Sequence, residues 1–149
     1  MREAKNASFA SSMRRVDNGA RRSIPRTGLG RALVLDVPER WEELYRQDCK
    51  RIKRSATKAN VAEFVAQMKD FAREGISRDM EDNEPGIRCV AAPVRDAQGH
   101  IVAAISVSSA VMYMDETRMN ELAKKVRGVA EKISTQLGYN ALNALESRP

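Results

Sequence analysis

The sequence predicts one α+β domain in which helices pack on an antiparallel hairpin, and three observations support this fold class. Its 149 residues are enough for one domain with a hydrophobic core. Over residues 88–108, two apolar runs joined by the polar turn RDAQGH are typical of two antiparallel strands. Segments on both sides of this hairpin carry apolar residues at helical spacing. Helices are therefore expected before and after the hairpin in the chain.

Two helices are predicted in the first third of the chain. A short helix begins at Gly28 and stops before Pro38, which cannot continue it. Pro38 also suits the first turn of the next helix, over residues 38–52. One face of that helix carries Trp41, Leu44, Tyr45 and Cys49. Cys49 is therefore expected to be a buried, small apolar residue.

The next predicted helix has the clearest periodicity. Its apolar positions begin at Val61 and recur at i+3, i+4, i+7, i+10 and i+11. Thr57 or Asn60 can cap its beginning, and Gly75 suits its C-terminal end. The acidic segment 76–87 that follows is interpreted as a connection, without a strand of its own.

A long amphipathic helix is expected over residues 111–139. Asp115 and Glu116 favour its N-terminal end, and Gly138 its C-terminal end. Its apolar stripe consists of Met119, Leu122, Val126, Val129, Ala130, Ile133 and Leu137. At the other end of the chain, residues 12–24 are expected to form a strand and a turn around Asn18.

The hairpin turn predicts which side chains share a face. A type I turn centred on Ala97 and Gln98 predicts two sets of pairs. One face pairs Val94 with Ile101, Ala92 with Ala103, and Val90 with Ile105. The other pairs Pro93 with Val102, Ala91 with Ala104, Cys89 with Ser106, and Ile87 with Ser108. Because side chains alternate across a strand, these two sets lie on opposite sides of the sheet.

Cys89, Ser106 and Ser108 thus fall on one face, beside the small Ala91 and Ala104. Small residues leave space above a sheet, and the thiol and hydroxyls would supply polar groups to a ligand in that space. The alternative interpretation is close packing of the small residues under a helix, with the hydroxyls bonded to the backbone. A bulge near Gly99 would shift this register.

Composition excludes several kinds of site. The two cysteines, Cys49 and Cys89, lie far apart without CxxC spacing, and His100 is the only histidine, so neither a metal site nor a cofactor is expected. His100 is also too far along the strands from Cys89 to act as its base, so no catalytic residue is predicted. The net charge of +6 comes without interleaved aromatic residues, and direct nucleic-acid binding does not follow from it.

The segment EDNEPGIRCVAAPVRDAQGHIVAAISVS, residues 81–108, resembles the hallmark of the effector-binding domain of IclR-type bacterial transcription regulators. Upstream, GARRSIPRTGLGRALVLDVP resembles that family's proline, Gly-x-Gly-Lys/Arg-Ala turn and helix. The stretch FAREGISRDMEDNEPG matches in order and spacing as well. The resemblance covers residues 14–138 and implies a GAF-like domain, an antiparallel sheet flanked by helices, that binds a small organic acid or related metabolite.

The resemblance also implies a set of ligand-contacting residues. These are Gly28 and Leu29 in the Gly-x-Gly turn, Asp79 after the long helix, Cys89 on the first hairpin strand, and Ser106 and Ser108 on the second. Amides, hydroxyls and a thiol can bind a carboxylate without a cation. Asp79 would accept a hydrogen bond from a ligand hydroxyl or order nearby backbone, or it would simply bond its own turn.

The chain departs from the family pattern in three places. Arg26 stands where the family often has histidine, and it would either pair with a ligand carboxylate or point to solvent. The sequence SSAVMY replaces the family's Gly-Pro after the second strand. A winged helix-turn-helix is not recognisable, so we expect a truncated product, an isolated domain or a natural stand-alone sensor.

The predicted organisation is a flexible segment over residues 1–13, an effector-binding domain over 14–138 and a tail over 139–149. The predicted function is sensing of a small organic acid, which modulates DNA binding through the helix-turn-helix domain. We expect a cytoplasmic homodimer or homotetramer without membrane contact, because no apolar run is long enough to span a bilayer and no signal peptide precedes the domain. The alternative is a stand-alone dimerisation module that modulates full-length relatives.

Overall fold

The computed structural model describes residues 23–141. The segment 1–13, the turn around Asn18, nearly all of the strand predicted over 12–24, and most of the predicted tail lie outside this range. Within residues 23–141 the chain forms four helices, α1 (Gly28–Leu33), α2 (Trp41–Arg51), α3 (Lys58–Glu74) and α4 (Glu116–Gln136). Three strands, β1 (Ser77–Met80), β2 (Ile87–Arg95) and β3 (Ile101–Ala110), form an antiparallel sheet in the order β1-β2-β3. Short 3₁₀ turns span Pro38–Arg40 and Val111–Tyr113.

The sheet separates two hydrophobic cores. One face packs against α4, through the core residues Ile76, Val90, Ala92, Val94, Met114, Met119, Ala123, Val126 and Ala130. The helices α1 to α3 contribute a second core of Val34, Leu35, Trp41, Phe64, Met68 and Phe71. Contacts of α1 with all three strands bring this second unit against the other face of the sheet. The predicted α+β class, with helices flanking an antiparallel sheet, is confirmed.

The predicted helix ends rest on specific caps. The Thr57 hydroxyl accepts a hydrogen bond from the Asn60 amide at 3.2 Å and begins α3. Gly75 ends this helix in the left-handed conformation, at a φ of 68°. The Asp115 carboxylate accepts from the Arg118 amide, so α4 begins at Glu116 rather than at residue 111. Cys49 is buried, as predicted.

Three expectations about the elements are wrong. The segment interpreted as a connection contains β1, which pairs with β2 and buries Ser77 and Asp79. Its polar composition conceals the strand, because those two polar side chains face inwards. Val129 in α4 and Leu137 just after it are about half exposed, although Ala130 at the same end of the predicted stripe is buried in the core. The predicted short helix ends at Leu33, earlier than Pro38 requires.

The hairpin register differs from the predicted one by two residues. Cys89 lies opposite Ser108 rather than Ser106, and Ala91 lies opposite Ser106. A shift of two residues keeps every side chain on its predicted face, because the side-chain period of a strand is two. A bulge at Val102, between the pairs Val94–Ala103 and Arg95–Ile101, changes this only near the turn. Beyond the bulge, Ile101 packs on the second core instead of sharing the face of Val94.

The close packing of α1 generates a stability prediction. A Cβ added at Gly30 would lie 2.5 Å from Ile24 Cα and 2.6 Å from Ile24 O, both backbone atoms that cannot move aside alone. Gly30→Ala should therefore lower the free energy of unfolding by about 1–3 kcal/mol, the usual cost of overpacking. Urea denaturation measures this change.

Gly128→Ala is the matched control, because the same substitution there meets nothing within 4 Å in the middle of α4. It should raise the free energy of unfolding by about 0.5–1 kcal/mol, from helix propensity alone. Equal effects of the two substitutions would contradict the packing of α1 described above.

Candidate functional site

Cys89 lies at the centre of a row of polar residues that crosses the three strands. Its Cα partner on β1 is Asp79, and its Cα partner on β3 is Ser108. The neighbouring row on the same face consists of Ser77, Ala91 and Ser106. The sheet pairing thus brings together four of the predicted site residues, Asp79, Cys89, Ser106 and Ser108. Ser77 joins them as a polar residue that the sequence analysis missed.

The beginning of α1 lies directly on these rows. A Cβ at Gly28 would stand 3.0 Å from Cys89 Sγ, so only glycine permits this approach without displacement. The Ser77 hydroxyl donates a hydrogen bond of 2.6 Å to the Gly28 carbonyl. The Leu29 amide interacts with the Cys89 thiol. Gly28 and Leu29, which the family resemblance placed in the site, therefore both lie against Cys89, at the centre of the polar row.

Asp79 is 4% exposed and partly satisfied by its own turn. Its Oδ1 accepts hydrogen bonds from the Asp82 amide at 2.8 Å and the Asn83 amide at 3.4 Å. Burial raises the pKa of the Asp79 carboxyl above its ordinary value, and these two backbone hydrogen bonds oppose the rise. The interpretation that Asp79 bonds its own turn is therefore correct for Oδ1. The same side chain also belongs to the polar row that contains Cys89.

The Cys89 thiol is 6% exposed. Burial raises its pKa above the ordinary value, while the hydroxyls of Ser108 and Ser106 oppose the rise. A thiol with a raised pKa stays protonated at neutral pH and is a poor nucleophile. It acts here as a small polar group in a wall rather than as a reactive centre.

The space expected above Cys89 and Ala91 is occupied by α1, so the close-packing interpretation holds for these two residues. Ser106 and Ser108 are exposed on β3, next to Leu29, which is 38% exposed. The accessible part of the site is therefore its β3 side, with Cys89 and Asp79 forming a buried inner wall. Two surface concavities of about 360 and 610 Å³ lie elsewhere and are lined by other residues.

Arg26 is held apart from this site. Its Nε lies 3.3 Å from Asp48 Oδ2, and Asp48 also accepts hydrogen bonds from Ser23 at 2.9 Å and Arg51 at 2.7 Å. Asp48 is buried in α2, so this cluster attaches the loop that precedes α1 to the helix α2. A role for Arg26 as the partner of a ligand carboxylate remains a prediction, and it requires the ion pair with Asp48 to open.

Arg31 is a second residue whose role the sequence analysis missed. It is 3% exposed and its Nη1 lies 3.0 Å from Asp82 Oδ2, in the turn that Asp79 organises. Nη1 also donates to the Arg78 carbonyl at 2.6 Å, next to Asp79 in β1. Arg31 does not line the exposed side of the site, but it positions β1 beside α1. The Gly-x-Gly-Arg spacing marked this residue without indicating that it is buried.

Over residues 23–141, no cluster of three or more His, Cys, Asp and Glu side chains is arranged to hold a metal ion. None of the helices in this range is long and apolar enough to cross a membrane.

Comparison with known proteins shows which curated proteins this chain resembles. The chain is 32% identical over 130 residues to the HTH-type transcriptional regulator KdgR of Escherichia coli, covering 82% of this chain and 47% of KdgR. It is 32% identical over 126 residues to the E. coli HTH-type transcriptional repressor AllR, covering 83% of this chain and 46% of AllR. The chain thus spans about half the length of these curated relatives. Both are named as transcriptional regulators, not as enzymes.

Solved structures show the same fold. The C-terminal domain of E. coli KdgR matches with a TM-score of 0.61 at 27% identity, over 81% of this chain and 74% of that domain. The Thermotoga maritima IclR matches with a TM-score of 0.61 at 27% identity, over 78% of this chain and 47% of that protein. The family profile described as bacterial transcriptional regulator IclR C-terminal matches residues 5–135. The chain therefore belongs to the IclR family of bacterial transcriptional regulators and corresponds to their C-terminal domain.

Proposed function

We propose that this chain is the effector-binding domain of a transcription regulator and that its ligand is a small organic acid. The observation that supports this function is the convergence of the Leu29 amide, the Cys89 thiol and the Ser106 and Ser108 hydroxyls on one face of the sheet. The exposed hydroxyls of Ser106 and Ser108 can donate hydrogen bonds to a carboxylate, whereas the Leu29 amide and the buried Cys89 thiol meet each other behind them. The ligand enters on the β3 side of α1, where both serines are exposed.

Ligand binding at this position acts on α1. The helix rests on the sheet through Gly28, and the bond from Ser77 to the Gly28 carbonyl joins it to β1. A ligand wedged between Leu29 and β3 favours whichever position of α1 gives it more contacts. Such a shift in population is how a bound metabolite changes the state of a regulator. In a full-length regulator, a winged helix-turn-helix domain would convert this change into altered DNA binding.

A panel of small mono- and dicarboxylates tests the proposed function. A ligand present at about a hundred times its Kd adds about 2.7 kcal/mol to the free energy of unfolding. The melting temperature of the full chain should then rise by roughly 5–10 °C. Ser106→Ala combined with Ser108→Ala should abolish this rise and leave the far-UV circular dichroism unchanged.

Ser109→Ala is the matched control for this experiment, because Ser109 lies on the same strand between the second serine and the end of β3 but points to the other face. It should retain the full rise in melting temperature. A folded double variant that still responds to the ligand would refute the site assignment, and a panel without any response would refute the ligand class.

Asp79→Asn should show how much the buried, ionised carboxylate lowers the free energy of unfolding. A carboxyl whose pKa is raised by folding stabilises the folded state at low pH, and this contribution is lost as the pH rises through the raised folded pKa. The amide oxygen of asparagine can still accept from the Asp82 amide. Chemical denaturation at a series of pH values should therefore show Asp79→Asn gaining stability over the wild type as the pH rises from about 3 to about 7. If the free energy of unfolding of Asp79→Asn, relative to that of the wild type, stayed constant or fell as the pH rises, burial of a charged Asp79 would be contradicted.

A second candidate function is self-association, and the outer edge of β3 favours it. Among residues 23–141, no strand pairs with that edge, and its Val102 and Val107 side chains are exposed. An unpaired strand edge is a template for another chain. Val107→Lys should then raise the dissociation constant of a dimer by about tenfold, through like charges on paired strands. Analytical ultracentrifugation measures this, and a wild-type monomer at every concentration would reject the candidate.

A further inference from the structure

A cationic groove lies on the opposite side of the sheet from the candidate ligand-binding site. It has a volume of about 360 Å³ and lies between the end of α3, the strand β1 and the first half of α4, lined by Glu74, Ile76, Arg78, Asn120, Ala123, Lys124 and Arg127. Ile76 belongs to the core under α4, whereas the neighbouring Ser77 bonds to Gly28 on the other side. The groove and the candidate ligand-binding site therefore use alternate residues of one segment, Ile76 and Arg78 for the groove and Ser77 and Asp79 for the site.

Positive charge dominates this groove. Three cationic side chains, Arg78, Lys124 and Arg127, line it against the single carboxylate of Glu74. Glu74 is paired with Arg78 Nη1 at 2.8 Å, so this pair carries no net charge, and Lys124 and Arg127 supply the excess positive charge of the lining. Glu131, outside the groove, approaches Arg127 Nε at 3.6 Å on an exposed pair that water screens. A net positive charge remains on the lining.

The two arginines are held in place by their other contacts. Arg127 Nη1 donates to the Glu74 carbonyl at 3.1 Å, at the C-terminal end of α3. Arg78 is tied to Glu74 and reaches Asn120 Oδ1 at 3.4 Å. Their guanidinium groups are thus oriented before any ligand arrives, which lowers the entropic cost of binding. Guanidinium groups match the geometry of carboxylate and phosphate oxygens.

Lys124 is the cation of this groove whose ammonium group is available to bind an anion. Over residues 23–141 its ammonium group forms neither an ion pair nor a hydrogen bond, although it lines the same concavity as the two arginines. The floor between these charges is apolar, with Ile76 and Ala123 buried. A small molecule with two or more anionic groups on a short carbon frame fits both features.

We propose that this groove is a second ligand site, distinct from the candidate effector site, and that it binds a small multivalent anion such as a polycarboxylate or a phosphate. The ligand bridges Lys124 and the guanidinium groups of Arg78 and Arg127. A volume of about 360 Å³ is sufficient for a small molecule of this kind. The site is independent of the hydroxyl row on the other face.

Isothermal titration of the full chain with citrate and with inorganic phosphate, at constant ionic strength set by sodium chloride, tests this inference. Lys124→Glu should weaken binding by at least about tenfold, because it replaces an attraction by a repulsion at close range. Arg78→Gln should weaken it as well. Binding of citrate alone or of phosphate alone would each support the proposal and would identify the anionic group that the groove prefers.

Lys125→Glu is the matched control, since it changes the net charge equally from the next position of α4, which does not line the groove. It should change the dissociation constant by no more than about twofold. Equal weakening by both lysine variants would show non-specific attraction to the net charge and overturn the proposal, as would the absence of binding.

The combined Ser106→Ala and Ser108→Ala variant separates this site from the candidate effector site. Anion binding in the groove should be unchanged in that variant, whatever the outcome of the carboxylate panel. Loss of citrate and phosphate binding in the serine variant would place the anion on the other face and overturn the proposal.

Discussion

The buried guanidinium of Arg31 is the interaction on which the arrangement of α1, β1 and α3 depends. Its Nε donates to the Pro25 carbonyl at 2.7 Å, and its Nη1 bonds to the Arg78 carbonyl at 2.6 Å and to Asp82 at 3.0 Å. The guanidinium also lies over the rings of Phe64 and Phe71, at 5.8 and 6.0 Å from their centroids. A buried charge is tolerated only where such partners converge. The loop before α1, the strand β1 and the apolar face of α3 must therefore meet around this one side chain.

This constraint explains why β1, a strand of four residues, contributes side chains to both the candidate ligand-binding site and the cationic groove. Held by Arg31, β1 turns Ser77 and Asp79 toward α1, whereas Arg78 and the preceding Ile76 face α4. Ser77 and Asp79 are the β1 members of the two rows of residues that form the candidate ligand-binding site. The second pair forms the floor and one cation of the groove on the other side. Two surfaces of different chemistry thus share one strand, because adjacent side chains of a strand point in opposite directions.

The hairpin shows how far local pattern can predict a site. Alternation along β2 and β3 places Cys89, Ser106 and Ser108 on one face, and the observed register, displaced by two residues, leaves that result intact. The bulge at Val102 is different, because the turn sequence indicates that a bulge could form near Gly99 but does not specify the residue at which it forms. It moves Ile101 to the second core, beside residues of α2 and α3 that lie far away in the chain. The alternation of side chains between the two faces of a strand is a local property and was predictable. The packing that favours a bulge depends on distant residues and was not predictable.

Local sequence patterns were enough to predict the α+β class, the caps of α3, the burial of Cys49 and the face shared by the thiol and the two hydroxyls, because helical and strand periodicities depend on neighbouring residues. The existence of β1, the packing of α1 over Cys89 and the pairing of Arg26 with Asp48 became visible only in the folded chain. Each of these depends on partners distant in the chain, such as Ser77 and Gly28, which are 49 residues apart and share one hydrogen bond. A polar residue carries no local sign of whether such a partner will reach it, and that is why the burial of Asp79 and the part played by Ser77 emerged only from the folded chain.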